Sequence, residues 1–169
     1  MDLPYCTEQL NKNAQIVHNM VSEINQEQAC WKPNPRIWSI NEVINHMGDE
    51  EKLDFREHLD WIIHRSSESW ASIDPQNWVI EKEYNIRDFQ LSLQSFLKER
   101  ELSLKWLREL NDLDFQSEAK APWGIITAGD MISSWVAHDI LHMRQIIEIK
   151  WELTKLNLAP YHIEYAGQW

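Results

Sequence analysis

The chain of 169 residues carries 27 acidic and 16 basic side chains, so its formal net charge at pH 7 is -11 with histidine counted as neutral. A surface this acidic repels nucleic-acid phosphates and anionic lipid headgroups, so we expect neither nucleic acid nor a membrane surface as a partner. The length fits one domain, which we assign to residues 1–169, and 43% hydrophobic residues are enough for a packed core.

Two helices are predicted in the first part of the chain from apolar residues at helical spacing. The first helix carries five such residues: Leu10, Ala14, Val17, Val21 and Ile24. It has to end before Pro33 and Pro35, because proline cannot continue a helix. The second helix begins at the capping box Ser39-Ile40-Asn41-Glu42 and runs to about Ile63.

The middle of the chain predicts a loop and a third helix. Residues 66–84 contain serine, Asp-Pro and scattered tryptophans, which favour an irregular loop. The third helix is expected to start near Asn85, with Asp88 in its first turn, and to fade at Asn111-Asp112.

A fourth helix completes the predicted fold. Thr127 is the expected N-cap, with Asp130 three residues on, and the helix should reach about Leu156. Four long helices and no convincing strand predict an all-α four-helix bundle in which most neighbours are antiparallel.

The N-terminal sequence and the two cysteines indicate the compartment. MDLPYCTEQL has neither the basic nor the apolar region of a signal peptide, and no segment approaches the ~20 apolar residues of a membrane span. Cys6 and Cys30 form no CxxC pair, which argues against a redox motif or a cysteine-based zinc site. We therefore expect a cytoplasmic protein.

The fourth helix has histidines where a bundle helix usually has leucine. Its inward face is predicted to hold six residues spaced alternately four and three apart: Met131, Trp135, His138, His142, Gln145 and Ile149. An imidazole buried without a partner costs on the order of 1–3 kcal/mol, so two in succession need an explanation. Residues four apart share a helix face, which lets both rings bind one cation. The pair alone leaves hydrogen-bonded core or surface histidines as the alternative.

A third ligand has to come from another helix, and His46 is the best-placed candidate. His46 and His138 lie comparable distances from the starts of their helices, so the rings could meet if these helices are adjacent. Glu50, one turn after His46, could be a further ligand, an acceptor for an imidazole N–H or a general base. The other four histidines are expected to be solvated: His18, His58, His64 and His162.

Three tryptophans and one aspartate are further candidates for the surroundings of the metal site. Three tryptophans could form pocket walls, although core packing explains each about as well: Trp38, Trp123 and Trp135. Asp139 follows His138 and points ~100° away around the helix, which argues against a direct ligand role.

Two segments resemble the DinB/YfiT-like superfamily. Residues 38–46, WSINEVINH, resemble the second helix of its members, and residues 137–146, AHDILHMRQI, resemble the HDxxHxxQI signature of the fourth. Pro122-Trp123-Gly124 and the order of the four helices agree as well. The resemblance spans nearly the whole chain.

The resemblance implies a four-helix bundle holding a divalent metal, often nickel or zinc. One ligand comes from helix two and two come from helix four, which correspond here to His46, His138 and His142. Relatives include S-transferases that use low-molecular-weight thiols and thiol-dependent isomerases, which implies a small-molecule substrate and a thiol cosubstrate. The resemblance, together with the large number of tryptophans, also predicts a homodimer.

The predicted function is a metal-dependent thiol S-transferase acting on small electrophiles, with Glu50 as the catalytic residue. Three histidines leave a coordination position open, and a bound metal lowers the pKa of a thiol or water. One alternative is a hydrolase in which water is the nucleophile and Glu50 the base; another is a non-enzymatic bundle braced by metal. An open pocket would favour catalysis, a cationic rim would favour anionic thiols, and a site closed by Glu50 would favour bracing.

Overall fold

The computed structural model describes residues 2–110 and 112–167. The helices within these ranges are α1 (Leu3–Val21), α2 (Gln26–Cys30), α3 (Ile40–Glu50), a π-helical turn (Glu51–Phe55), α4 (Arg56–His64), α5 (Pro75–Glu81), α6 (Phe89–Glu109) and α7 (Ala128–Leu158). Two strands, β1 (Glu118–Ala121) and β2 (Gly124–Thr127), precede α7, and 3-10 turns lie at Tyr84–Ile86 and Glu164–Ala166.

Four long helices form the bundle, which confirms the predicted fold class. α3, the π-helical turn and α4 follow one another without a break and correspond to the predicted second helix. α1 packs against α6 and α7, and α3 packs against the same two helices. No helix in the described part of the chain is long and apolar enough to cross a membrane.

Two hydrophobic clusters fill the two halves of the bundle. The first includes four fully buried side chains, one from each long helix: Val17, Ile44, Phe96 and Ile146. The second includes four from the other halves of those helices: Leu10, Leu59, Leu107 and Ile132. The polar residues of the candidate site lie between these clusters on α3 and α7.

The predicted start of the third helix and the predicted loop before it are corrected by the structure. Residues 66–84 contain the short helix α5, whose first residue is Pro75 and whose N-cap is Asp74. The third long helix, α6, begins at Phe89 because the Asp88 side chain accepts a hydrogen bond from the Leu91 amide at 2.8 Å. Asn111, placed at the end of that helix by the sequence, lies outside the described residues.

The prediction that the chain contains no strand was wrong. β1 and β2 pair antiparallel with Glu118 opposite Thr127, and Gly124 has a φ of 142° at the turn between them. A residue with a side chain rarely adopts that φ, so glycine is required there. The hairpin leads directly into Thr127, the N-cap of α7.

Candidate metal centre

Three histidines and one glutamate converge between α3 and α7. One ligand atom from each of His46, Glu50, His138 and His142 lies within 4.8 Å of all the others. Glu50 Oε2 is 2.6 Å from His138 Nε2 and 3.4 Å from His46 Nε2. His142 Nε2 is 2.9 Å from His138 Nε2. The structure therefore brings the three predicted histidines together and adds the carboxylate of Glu50 to them.

The hydrogen bonding of these groups fits a bound cation. Glu50 Oε2 is buried and makes no hydrogen bond of acceptable geometry within the described part of the chain, despite its short distances to the rings. His142 Nδ1 donates to Gln145 Oε1 at 2.9 Å, which leaves the lone pair of a neutral ring on Nε2. That lone pair faces the other ligand atoms, as metal coordination requires.

Burial keeps two of the rings in the neutral form that binds metals. Burial, with a smaller contribution from His142 and His138, lowers the pKa of His46 to about 2. Burial also lowers the pKa of His142 to about 4, assisted by His138 and opposed by the hydrogen bond to Gln145. Protons therefore do not compete for these nitrogens at neutral pH.

The start of α3 places His46 and Trp38 side by side. Ser39 and Glu42 form the predicted capping box, in which the Glu42 amide donates to Ser39 Oγ at 3.1 Å and the Ser39 amide donates to Glu42 Oε2 at 2.7 Å. Trp38, just before the cap, packs edge-on against His46 with ring centroids 4.7 Å apart and lies parallel to His142. Trp38 is therefore a wall of the site, as one of the two readings of the sequence proposed.

The other two candidate tryptophans do not line the site. Trp135 is fully buried in the core and donates its indole N–H to Glu51 at 2.9 Å. Trp123 is 69% exposed between the strands of the hairpin and contacts Trp70. Asp139 is buried and paired with Arg100, which agrees with the expectation that it is not a ligand.

A cavity of about 670 Å³ opens beside the four ligand atoms. Its walls include Trp38, Leu141 and Gln76, and its charged residues beyond the cluster are Arg36, Arg144 and Glu148. Arg144 pairs with Glu148 at 3.3 Å. The Arg36 guanidinium has no hydrogen-bond or ion-pair partner among the described residues, so it adds an unpaired positive charge to the pocket of an otherwise acidic protein.

The expectation of solvation was wrong for His58. Its side chain is 1% exposed, with Nδ1 2.7 Å from Asp54 Oδ1 and Nε2 3.0 Å from the Ala71 carbonyl. Trp70 stacks on its ring at a centroid distance of 3.8 Å. The spacing of Asp54 and His58, four residues apart, was the signal available in the sequence.

The fold and the cluster together define a four-helix bundle with a three-histidine, one-glutamate group that could hold a metal ion. The chain belongs to the DinB superfamily, whose sequence pattern matches residues 9–146, and this confirms the resemblance seen in the sequence. No curated protein sequence matches it.

The fold is similar to that of YfiT from Bacillus subtilis, with a TM-score of 0.78 and 18% sequence identity. The similarity covers 90% of this chain and 87% of that chain. YfiT is described as a probable metal-dependent hydrolase with an unusual four-helix bundle topology.

Proposed function

We propose that this chain is a divalent-metal-dependent enzyme that acts on a small molecule in the cavity beside the four-residue cluster. The observation that carries the proposal is the convergence of four ligand atoms within 4.8 Å at a cavity of about 670 Å³. A metal that only braced the bundle would need no cavity leading to it, whereas small-molecule sites have volumes of this order. Nickel and zinc both suit a set of imidazole ligands.

The chain's own residues have separate roles in this proposal. His46, His138 and His142 would hold the metal through imidazole nitrogens, and Glu50 lies close enough to be a fourth ligand or to accept a proton. A divalent metal held by these residues would lower the pKa of a thiol or water molecule beside it. Gln145 fixes the tautomer of His142 because its Oε1 accepts a hydrogen bond from the Nδ1–H group.

The reaction we propose is transfer of a low-molecular-weight thiol to an electrophilic small molecule. The thiol sulfur forms a bond to an electrophilic carbon, the leaving group departs with its bonding electrons, and Glu50 takes the thiol proton. Arg36 supports this choice, because its unpaired charge in the pocket favours a thiol that carries a carboxylate. Cys6 is buried and Cys30 donates to the Asn85 carbonyl, so neither protein thiol is placed to act as the nucleophile. The proposed reaction takes its sulfur from the small-molecule thiol.

Hydrolysis is the second candidate, and the description of YfiT favours it. Glu50 would then be the general base that takes a proton from water, and the attack would break an ester or amide bond. The two reactions would use the same ligands and pocket and differ in the nucleophile and in the substrate bond that is broken.

The test follows conjugation of a chromogenic electrophile with several cellular thiols. Metal-loaded wild type is compared with chelated protein and with His138→Ala, and His64→Ala is the matched control because His64 is exposed on α4. We expect thiol-dependent turnover in wild type and His64→Ala and loss in the other two samples. Equal rates in all four samples would remove the metal from the mechanism.

One further result tests the role of Glu50 in either reaction, and another separates the two candidates. Glu50→Gln should lower the rate about 100-fold or more while reducing metal content less, as expected for loss of a proton acceptor. No rate above background with any thiol, together with metal-dependent hydrolysis of esters or amides, would replace S-transfer by hydrolysis.

A further inference from the structure

Arg100 on α6 is a buried guanidinium whose five N–H groups are all used. Nε and Nη2 donate to the two carboxylate oxygens of Glu51 at 2.7 and 2.9 Å. Nη1 and Nη2 donate to the two oxygens of Asp139, both at 2.8 Å, and Nη1 also donates to the Leu10 carbonyl at 2.7 Å. We call Arg100, Glu51 and Asp139 the Arg100 clamp. Two bidentate pairs on one arginine fix both the distance and the orientation of the two carboxylates.

The Arg100 clamp and the Leu10 carbonyl that Arg100 binds join all four long helices of the bundle. Glu51 is the first residue of the π-helical turn, Asp139 lies on α7 and Leu10 lies on α1. Two more donors complete the carboxylates: Trp135 donates to Glu51 Oε2 at 2.9 Å, and Asn13 donates to Asp139 Oδ2 at 3.1 Å. Each carboxylate is therefore held by a second donor besides Arg100, and the third partner, the Leu10 carbonyl, is part of the backbone.

The two carboxylates of the clamp are chain neighbours of two candidate ligands. Glu51 follows Glu50 and Asp139 follows His138. Successive helical residues point ~100° apart, so each helix presents one residue to the ligand cluster and the next to Arg100. Glu50 and Glu51 are only 6% and 1% exposed, which shows that both directions lead into the protein.

Buried carboxylates outnumber buried guanidinium groups in this part of the described structure. Glu51 and Asp139 bind the guanidinium of Arg100, and Glu50, next to Glu51 in the chain, is a third buried carboxylate. Buried charge without compensation is unfavourable, and a divalent metal at the ligand cluster would supply the missing positive charge. The clamp and the ligand cluster thus form one connected electrostatic unit.

We propose that Arg100 is a positioning residue for the metal centre: by holding Glu51 and Asp139, it sets the separation of Glu50 and His138. The affinity for the metal and its coordination geometry then depend on a side chain that touches none of the ligand atoms. This proposal rests on the metal site of the proposed function and is independent of which reaction the site performs.

The experiment uses Arg100→Lys, which keeps the charge and removes the paired donors. Co²⁺ alone is the probe, because its visible absorption bands report coordination geometry while titration gives the affinity. We expect at least about tenfold weaker Co²⁺ binding than in the wild type, in the range known for groups that support metal ligands, and altered absorption bands.

Arg56→Lys is the matched control for this substitution. Arg56 joins α4 to Glu99 and Ser103 on α6 through hydrogen bonds of 2.8 and 3.0 Å, and none of these residues adjoins a candidate ligand. Its Co²⁺ affinity and spectrum should match those of the wild type. An equal loss in both variants would assign the effect to general loosening of the bundle and overturn the proposal.

A second variant keeps the test valid if Arg100→Lys does not fold. Arg100→Met combined with Glu51→Gln and Asp139→Asn removes the clamp without leaving an unpaired buried charge. Urea unfolding of the metal-free protein establishes that the variant is folded, and we expect the same loss of Co²⁺ affinity. Wild-type affinity and bands in either folded variant would contradict the proposal.

The outcomes separate this proposal from the proposed function. Normal Co²⁺ binding by the clamp variants, alongside metal-dependent turnover in the wild type, would overturn the clamp and leave the function standing. Weakened binding in the variants of a protein with no turnover would overturn the function and leave the clamp. Failure of the wild type to bind Co²⁺ would overturn both.

Discussion

His58 is a buried side chain whose surroundings favour its charged form. Its two ring nitrogens face acceptors, the Asp54 carboxylate and the Ala71 carbonyl, so both nitrogens must donate. Burial acts to lower the pKa of His58, but the hydrogen bonds to Asp54 and Ala71 and the negative charges of Asp54 and Glu57 outweigh it and raise the pKa above 6.5. The folded state therefore binds this proton more tightly than the unfolded state does.

The pH dependence of stability follows from the raised pKa. The stabilisation by His58 is complete below pH 6.5 and is lost as the pH rises through the higher folded-state pKa. We expect His58→Gln to lower the free energy of unfolding by about 1–3 kcal/mol near pH 6 and by less near pH 9. Urea unfolding across this range measures the difference, with the exposed His64→Gln as control. A difference that stays flat or grows with pH would contradict this assignment.

The sequence predicted the clustering of the three candidate histidines better than it predicted the other buried polar residues. His138 and His142 share a helix face by local geometry alone, so their spacing is visible in the sequence. The burial of His58 depends on Trp70 and Ala71, which cover it from a separate segment. The partners of Arg100 likewise come from three other helices, and no local pattern reveals them.

The two helices that carry the candidate ligands, α3 and α7, each begin at a capping box, and the two boxes differ in burial. Thr127 caps α7 through Asp130 in an exposed setting. Ser39 is fully buried, caps α3 through Glu42 and also donates to Asn85 Oδ1 at 2.6 Å. The Ser39 cap therefore holds both the start of α3 and the segment that precedes α6.

We expect Ser39→Ala to destabilise the protein more than Thr127→Ala does. Loss of an N-cap costs about 1 kcal/mol, and loss of the hydrogen bond to Asn85 adds about 1 kcal/mol more at position 39. Urea unfolding of the two variants at one pH provides the comparison. A larger loss in Thr127→Ala would show that the buried hydrogen bond to Asn85 contributes nothing.

The elements that the sequence missed are short or share the pattern of their neighbours. Strand β1 reads EAKA, and its residues have low strand propensity, so only pairing with β2 makes it a strand. The π-helical turn Glu51–Phe55 lies inside a continuous helix, where the hydrophobic period does not distinguish it from α-helix. The four long helices were predictable because each repeats its apolar face over several turns.

The outer face of α7 carries exposed apolar residues that could contact a second copy of the chain. Ile140, Ile147 and Leu158 are 54%, 42% and 48% exposed, and with the half-buried Trp151 they are spaced seven, four and seven residues apart. This spacing is typical of a helix that packs against a partner helix. It supports the homodimer expected from the sequence, with α7 of each copy at a symmetric interface.

We expect the wild type to have about twice the chain mass of 20.2 kDa in solution. Ile147→Glu should shift the protein to the monomer, because it places a charge among the exposed apolar residues of α7. Leu91→Glu, at an exposed position on α6, adds the same charge elsewhere and should remain dimeric. Light scattering that finds only 20.2 kDa particles for the wild type would contradict the dimer.

The metal content of the purified protein shows directly whether the four-residue cluster binds an ion. Elemental analysis of the wild type should find about one divalent metal ion per chain, as expected for one cluster of this donor set. Single substitutions to alanine at His46, His138 and His142 should each abolish or strongly reduce that content, whereas His18→Ala and His64→Ala should leave it unchanged. Full metal occupancy in all three ligand variants would contradict the account.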